Sequence, residues 1–155
     1  MIIVTWNVNS LNVRLEHVIH WIKSNKPDIL CIQETKQTNE KFSHDAFSSI
    51  GYESYHNGQK TYNGVAIISN KPLQKISHDL PNFSDSQKRI ITGQYPSEKL
   101  GLVQVVSAYI PNGQSLDSDK FKNLNMLVKN KNFFNSLILN VSSTLYFIKN
   151  KKYNS

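Results

Sequence analysis

Ile2-Ile3-Val4-Thr5-Trp6 and Ile29-Leu30-Cys31-Ile32 are two short apolar runs, and a helical pattern lies between them. Runs of this kind, rich in β-branched residues, predict buried strands. The apolar residues between them recur at helical spacing and form one stripe, at Leu15, Val18, Ile19 and Ile22. The helix should end at Asn25-Lys26-Pro27, because proline cannot continue a helix. The pattern therefore predicts a strand, a helix and a second strand, in that order.

A polar residue with oxygen ligands follows each of these strands, Asn7 after the first and Glu34 after the second. A strand–helix–strand unit brings both to the same edge of the sheet, where ligands gather in open α/β sheets. Amide and carboxylate oxygens suit Mg²⁺, which takes one or two carboxylates and leaves other positions to water and substrate phosphate. Taken alone, a residue such as Asn7 is more often a turn residue, and one such as Glu34 is more often a surface carboxylate.

The pattern changes to strands and turns from Gly51 onward. Four strands are predicted in this part, over residues 52–56, 62–68, 89–95 and 102–109. The first two should form a hairpin with a turn at Asn57-Gly58, and the last two should extend a mostly antiparallel sheet. Beyond Lys120, weaker signals indicate a helix over residues 121–128 and a strand over residues 137–141.

Length and composition fit one domain with its own core. The chain has 155 residues, of which 39% are hydrophobic, and it contains no apolar run of about eighteen residues that would span a membrane. Its apolar start lacks a preceding basic segment and is interrupted at Asn7, which argues against a signal peptide. We therefore expect a monomer in the cytoplasm. The single Cys31 cannot form an internal disulfide and is expected to be inert packing.

The net charge of +7 is concentrated in one part of the chain. Residues 1–119 contain 11 lysines and arginines against 11 aspartates and glutamates, whereas residues 120–155 contain seven lysines, eight asparagines and no acidic residue. A basic segment of this kind can bind nucleic acid electrostatically. A low-complexity segment without a binding role is an alternative that the composition leaves open.

Four ordered motifs carry a resemblance to a known family. They are Trp-Asn-Val-Asn-Ser-Leu at 6–11, Gln-Glu-Thr-Lys at 33–36, Tyr-Asn-Gly-Val-Ala-Ile at 62–67 and Ala-Tyr-Ile-Pro-Asn-Gly at 108–113. Their order and spacing resemble the exodeoxyribonuclease III branch of the endonuclease/exonuclease/phosphatase family. The resemblance covers residues 1–120 and leaves residues 121–155 as a divergent tail rich in lysine and asparagine.

The resemblance implies a fold, a site and a reaction. The implied fold is of the α+β class, a two-sheet α/β sandwich that is truncated here. Asn7 and Glu34 match the family's metal ligands, and Tyr109 matches the catalytic tyrosine beside the scissile phosphate. Arg89 resembles a DNA-contacting arginine, although an ordinary strand-end charge would also explain it, and Asn112 lies in a loop near the phosphate. The implied reaction is Mg²⁺-dependent hydrolysis, with Mn²⁺ also possible, at abasic sites and 3′ ends of double-stranded DNA, away from any membrane.

Other family motifs do not occur in the sequence. The resemblance calls for a Gly-Asp-Phe-Asn segment, a tryptophan–aromatic pair and a Ser-Asp-His segment, but the predicted strand at 137–141 is followed by Ser142-Ser143. We therefore expect little catalysis from the chain as written.

Two alternatives stay open. One is a non-catalytic truncated or frameshifted fragment with weak, nonspecific DNA binding. The other is a different phosphodiesterase branch, such as an inositol-phosphate phosphatase or a sphingomyelinase-like enzyme, although the motifs at 62–67 and 108–113 favour the DNA repair branch.

Overall fold

The computed structural model describes residues 1–78 and 86–109, together with the backbone of two short strands at residues 138–141 and 145–146. These residues form two β-sheets that pack face to face, and a helix covers the other face of the first sheet. The two-sheet α/β sandwich predicted from the sequence is confirmed.

The first sheet contains four strands in the order β1-β2-β4-β3. They are β1 Ile3–Asn7, β2 Ile29–Gln33, β3 Glu53–Asn57 and β4 Val65–Ser69. Strands β1 and β2 run parallel, with Asn7 opposite Gln33, whereas β4 pairs antiparallel with both β2 and β3. The predicted side-by-side placement of the first two strands is confirmed.

Helix α1, Leu11–Asn25, connects β1 to β2. The predicted stripe packs against the first sheet, with Val18 and Ile22 fully buried. The helix ends at Lys26, whose φ of 47° is left-handed and whose N–H bonds to the carbonyl of Ile22, directly before Pro27. A 3₁₀ turn, Asn39–Lys41, and a short helix α2, His44–Ser48, follow β2; the sequence pattern does not predict either.

The second sheet contains five strands in the order β5-β6-β7-β8-β9. They are β5 Gln74–Ser77, β6 Ile90–Ser97, β7 Gly101–Ala108, β8 Ile138–Val141 and β9 Leu145–Tyr146. Strand β8 pairs parallel with β7, and the other neighbours are antiparallel. The strand predicted near residues 137–141 is therefore present, whereas the helix predicted over 121–128 lies outside the described residues.

Two sequence predictions about connections are wrong. Strands β6 and β7 do not extend the first sheet but belong to the second, because their apolar inner residues pack across the sandwich. Residues 58–64 form a loop between β3 and β4 in place of a tight turn at Asn57-Gly58. Asn57 is instead the buried last residue of β3, and its amide donates to the carbonyl of Ile90 at 2.7 Å, a bond between the sheets.

Two apolar cores hold these layers together. The first lies between α1 and the first sheet, and the second lies between the sheets, where Ile29, Val65 and Ile67 meet Ile91 and Val105. Within residues 1–78 and 86–109, no helix is both long and apolar enough to cross a membrane.

His56 is a buried histidine of β3, with 6% of its surface exposed. Its ring stacks on Phe42 with a centroid distance of 4.1 Å. Burial, reinforced by the nearby His44 and His78, lowers the pKa of His56 from 6.5 to about 3. Because the folded pKa lies below the unfolded one, this histidine contributes stability that is fully present above pH 6.5 and is lost as the pH falls toward 3.

We expect His56→Phe to reduce the acid sensitivity of the fold. Between pH 6.5 and about pH 5, above the main carboxylate range, the wild-type free energy of unfolding should fall by up to about 1.4 kcal/mol per pH unit. In the variant, the free energy of unfolding should fall clearly less per pH unit, since phenylalanine takes up no proton. Urea unfolding at several pH values measures this, with the exposed His17→Gln as a control for loss of a histidine. If the free energy of unfolding depended on pH equally in His56→Phe and in the wild type, His56 would not be a neutral buried group.

Candidate active site

The candidate site begins where β1 and β2 end. The loop after β1 is hydrogen-bonded along the loop after β2: the N–H of Ser10 donates to the carbonyl of Glu34 at 2.8 Å, and that of Leu11 to the carbonyl of Thr35 at 3.1 Å. These bonds fix the backbone on either side of the Glu34 side chain. The first two sequence motifs, at 6–11 and 33–36, are therefore in direct contact.

The third motif joins the same ladder of backbone bonds. The N–H groups of Thr35 and Lys36 donate to the carbonyls of Gly64 and Asn63 at 3.1 and 3.0 Å. The N–H of Gly64 in turn donates to the carbonyl of Lys88 at 3.2 Å. The loop at 61–64 thus links the Glu34 loop of the first sheet to the segment that enters β6.

The fourth motif reaches the site through Tyr109. Its N–H donates to the carbonyl of Arg89 at 2.8 Å, so the end of β7 is held beside the start of β6. Five chain segments therefore meet at one end of the sandwich through backbone hydrogen bonds.

Backbone strain is concentrated in these same loops. Among the described residues, nine other than glycine have a positive φ, and seven of them lie here, namely Asn9, Ser10, Glu34, Lys36, Thr61, Asn63 and Lys88. Left-handed conformations cost such residues free energy, so the surrounding hydrogen bonds must hold them in place. Clustered strain of this kind is typical of functional sites.

The carboxylate of Glu34 is the centre of the site. Its Oε1 accepts a hydrogen bond from Asn7 Nδ2 at 2.8 Å, and its Oε2 lies 3.3 Å from Lys36 Nζ. The phenol of Tyr109 also donates to this carboxylate. Three side chains from three motifs therefore converge on one acidic group.

The pKa values of Glu34 and Tyr109 move in opposite directions. Partial burial raises the pKa of Glu34, but hydrogen bonds from Asn7, Tyr109 and Lys36 and the charge of Lys36 together lower it below its usual value. Burial and the negative charge of Glu34 raise the pKa of Tyr109, whereas Arg89 opposes this. At neutral pH the site therefore holds an ionised carboxylate and a protonated phenol.

Asn7 and Lys36 are fixed by Asn9. The amide oxygen of Asn7 accepts a bond from the N–H of Asn9 at 3.0 Å, and Lys36 Nζ donates to Asn9 Oδ1 at 2.5 Å. The same ammonium group therefore contacts both Asn9 and Glu34. Lys36 belongs to this site although sequence reasoning did not select it; its position two residues after Glu34 in a family motif was the available signal.

A polar contact behind Glu34 connects the two sheets. Gln33 Nε2 donates to Ser107 Oγ at 3.4 Å, and Ser107 Oγ donates to the carbonyl of Ile32 at 3.3 Å. The neighbouring Cys31 is fully buried, which raises the pKa of its thiol to about 12. Cys31 is therefore an unreactive packing residue, as its sequence context predicts.

Glu34 and Asn7 offer the oxygen ligands that a hard divalent cation prefers. Few such ligands are brought together here, because residues 1–78 and 86–109 contain no group of three or more His, Cys, Asp or Glu side chains that could hold a metal ion. Lys36 also places a positive charge 3.3 Å from the carboxylate. The described residues therefore fit part of a cation site, with low expected affinity.

Two further residues, Arg89 and Asn112, are predicted from the sequence to contact DNA. Arg89 is buried, with 9% of its surface exposed, and its charge acts on Tyr109. An ordinary solvated strand-end arginine would not be buried in this way. Asn112 lies outside the described residues.

Comparison with known proteins agrees with this arrangement of motifs. Residues 4–133 match the family model described as Endonuclease/Exonuclease/phosphatase family. The chain belongs to the endonuclease/exonuclease/phosphatase family. It is 33% identical over 113 residues to exodeoxyribonuclease III of Haemophilus influenzae, which covers 72% of this chain and 42% of that protein.

Solved structures of this family share the fold. The 3′-5′ exonuclease of Neisseria meningitidis matches with a TM-score of 0.70 and 43% identity, over 81% of this chain and 48% of that chain. The AP endonuclease of Archaeoglobus fulgidus matches with a TM-score of 0.70 and 40% identity, over 83% of this chain and 49% of that chain. The predicted fold type of the endonuclease/exonuclease/phosphatase family is thereby confirmed. The chain spans about half the length of these relatives.

A substitution at Gly64 would test how tightly the loops at the site are packed. Both Gly64 and Gly51 have a left-handed φ, of 87° and 79°, but a Cβ on Gly64 would lie 2.1 Å from Thr35 Oγ1, whereas one on Gly51 would meet nothing within 4 Å. We expect Gly64→Ala to lower the free energy of unfolding by roughly 1–3 kcal/mol more than Gly51→Ala. Chemical denaturation of both variants measures the difference, and equal losses would contradict the close packing.

Metal binding tests the role of the carboxylate. We expect Mn²⁺ titration of wild-type protein to broaden the NMR signals of Asn7 and Glu34 first, because their oxygens are the available ligands at this edge. Glu34→Gln should abolish the effect, and the exposed Glu40→Gln should leave it unchanged. Sharp Asn7 and Glu34 signals alongside broadening elsewhere would show that the assignment is wrong.

Proposed function

We propose that this chain supplies the first half of the active site of a divalent-metal-dependent nuclease that hydrolyses DNA phosphodiesters. The observation that carries the proposal is the convergence of Asn7, Glu34 and Tyr109, with Glu34 hydrogen-bonded to both of the others. The similarity to exodeoxyribonuclease III and to an AP endonuclease supports DNA as the substrate. We expect a DNA repair role in the cytoplasm, as a monomer.

Glu34 and the amide oxygen of Asn7 would hold the Mg²⁺ ion, with Mn²⁺ as a substitute; the family as a whole depends on divalent metals. When bound, such an ion offsets charge on the phosphate and makes water a better nucleophile. The ammonium of Lys36, 3.3 Å from Glu34 Oε2, competes for the same carboxylate. One carboxylate beside one ammonium provides little net negative charge to offset dehydration of the ion.

Tyr109 acts as a hydrogen-bond donor in this proposal. Its raised pKa keeps the phenol protonated at neutral pH, so its O–H can donate to a phosphate oxygen as negative charge develops there. Arg89 is buried beside it and would contact a phosphate within the site, since a guanidinium can bind two phosphate oxygens at once. Asn112 would contact the same phosphate region.

The proposed substrate is double-stranded DNA with an abasic site or a free 3′ end. Both kinds of activity appear among the relatives, one described as an AP endonuclease and one as a 3′-5′ exonuclease. The seven lysines of residues 120–155 would add an affinity that depends on salt and not on base sequence.

We propose that the chain as written has little catalytic activity. The sequence contains neither Gly-Asp-Phe-Asn nor Ser-Asp-His, and Glu34 is the only carboxylate that we place at this edge among the described residues. Loss of general acid–base assistance alone reduces rates by roughly 10²–10⁴-fold. The chain would therefore bind DNA more effectively than it cleaves it.

An incision assay on a duplex with one abasic site tests this proposal. In Mg²⁺ we expect the purified chain to give almost no incision, while binding the duplex with an affinity that falls steeply as salt rises. Glu34→Gln and the matched Glu40→Gln should leave that binding in place, because neither variant changes the seven lysines of residues 120–155.

Two results would contradict the proposal. Robust incision that Glu34→Gln abolishes and Glu40→Gln preserves would show that the chain holds a complete active site. Absence of salt-dependent DNA binding would argue against a DNA substrate.

A further inference from the structure

His56 and Thr35 form a buried pair, and Thr35 directly follows Glu34 in the chain. Thr35 Oγ1 lies 2.8 Å from His56 Nε2; Thr35 lies in the loop after β2, and His56 lies in β3. Thr35 is fully buried, and His56 is 6% exposed. No part of the proposed reaction uses either side chain.

Thr35 is the residue through which the loops of the site are connected. Its carbonyl accepts from the N–H of Leu11, and its own N–H donates to the carbonyl of Gly64. It directly follows Glu34, whose φ of 55° is left-handed. A small rotation of Thr35 would therefore turn Glu34 away from Asn7.

The surroundings of His56 leave Thr35 as its one hydrogen-bonding partner in the part of the chain that the structure describes. Its Nδ1 is buried without a partner there, and its ring is held by stacking on Phe42 at 4.1 Å. A buried N–H without an acceptor costs more than an unused lone pair on nitrogen. This favours the tautomer in which Nε2–H donates to Thr35 Oγ1.

Charge and shape keep this arrangement fixed. Burial, with His44 and His78 as further causes, lowers the pKa of His56 to about 3, so the ring is neutral and the tautomer does not change near pH 7. On the other side of Thr35, Gly64 approaches so closely that a Cβ there would lie 2.1 Å from Oγ1. Thr35 is thus held between an imidazole and a glycine.

We propose that His56 is a positioning residue for Glu34, acting through its hydrogen bond to Thr35. The bond fixes the rotamer of Thr35, and the backbone of Thr35 fixes the carboxylate that faces Asn7 and Tyr109. This inference rests on the proposed function, because it assigns Glu34 to metal binding. It differs from a purely structural role in that loss of the bond should alter the carboxylate and not only the stability of the fold.

The test uses the full chain and removes the bond from either side. His56→Phe keeps the ring that stacks on Phe42, and Thr35→Val keeps the shape of threonine. Thr35→Ser retains the hydroxyl as the conservative variant. Thr92→Val, at a buried threonine of β6 in the second sheet, is the matched control for the loss of a threonine hydroxyl.

Two measurements report on the site itself. The first is the proton shift of the Asn7 side-chain amide, which donates to Glu34 Oε1. The second is Mn²⁺ affinity from paramagnetic broadening. We expect His56→Phe and Thr35→Val each to move the Asn7 resonance and to weaken Mn²⁺ binding about tenfold. Combining them should cause little further loss, since both remove the same bond. Thr35→Ser and Thr92→Val should behave like wild type.

Folded His56→Phe and Thr35→Val variants with an unchanged Asn7 resonance would overturn the proposal, as would an equal effect of Thr92→Val. If one of the two variants fails to fold, the other still tests whether His56 positions Glu34, because it removes the same hydrogen bond. Failure of wild-type protein to bind Mn²⁺ at Glu34 would count against the proposed function, and the Asn7 resonance would still decide the role of His56.

Discussion

The parallel pairing of β1 and β2 is the constraint on which the rest of the site depends. Its register sets Asn7 opposite Gln33, so that the next residue, Glu34, turns its carboxylate toward the amide of Asn7. A shift of one residue would reverse the faces of β1 and separate these groups. Helix α1 on one face and the second sheet on the other hold the pairing in place.

The loops beyond this pairing combine local strain with regular hydrogen bonding. Left-handed residues such as Glu34, Lys36 and Asn63 are unfavourable by themselves, yet each lies in a segment whose backbone is bonded to a neighbouring loop. The strain is therefore offset by contacts between segments that are distant in sequence. Such an arrangement holds side chains in place before a ligand arrives, which favours binding and catalysis.

The sequence predicts the local elements well because their signals are local. The apolar runs and helical stripe of residues 2–32 correctly predict β1, α1 and β2, and Pro27 correctly predicts the end of the helix. The assignment of β6 and β7 to a second sheet was missed, since which sheet a strand joins depends on faces that meet only in the folded chain. Asn57 illustrates this: a typical turn residue forms a buried bond to Ile90, 33 residues away.

The same difference holds for the site: residues within local motifs could be predicted, and contacts between distant segments could not. Asn7, Glu34 and Tyr109 could be selected because each lies in a recognisable motif, whereas His56 depends on a partner 21 residues away that no spacing rule indicates. Lys36 was within a motif but lacked an assigned role.

The charge of the Glu34 carboxylate and of the groups around it connects the geometry of the site to its proposed role. Donors from Asn7, Tyr109 and Lys36 keep the carboxylate ionised and oriented, as the proposed metal role requires. The ammonium of Lys36, 3.3 Å from Glu34 Oε2, also offsets its negative charge, so in the proposed metal role the attraction for a divalent ion would be small unless further carboxylates lie nearby. In the proposed metal role, that additional negative charge would have to come from residues outside 1–78 and 86–109, because within those ranges no group of three or more His, Cys, Asp or Glu side chains could hold a metal ion. The described residues thus orient the carboxylate, and further negative charge is what the proposed role would still require.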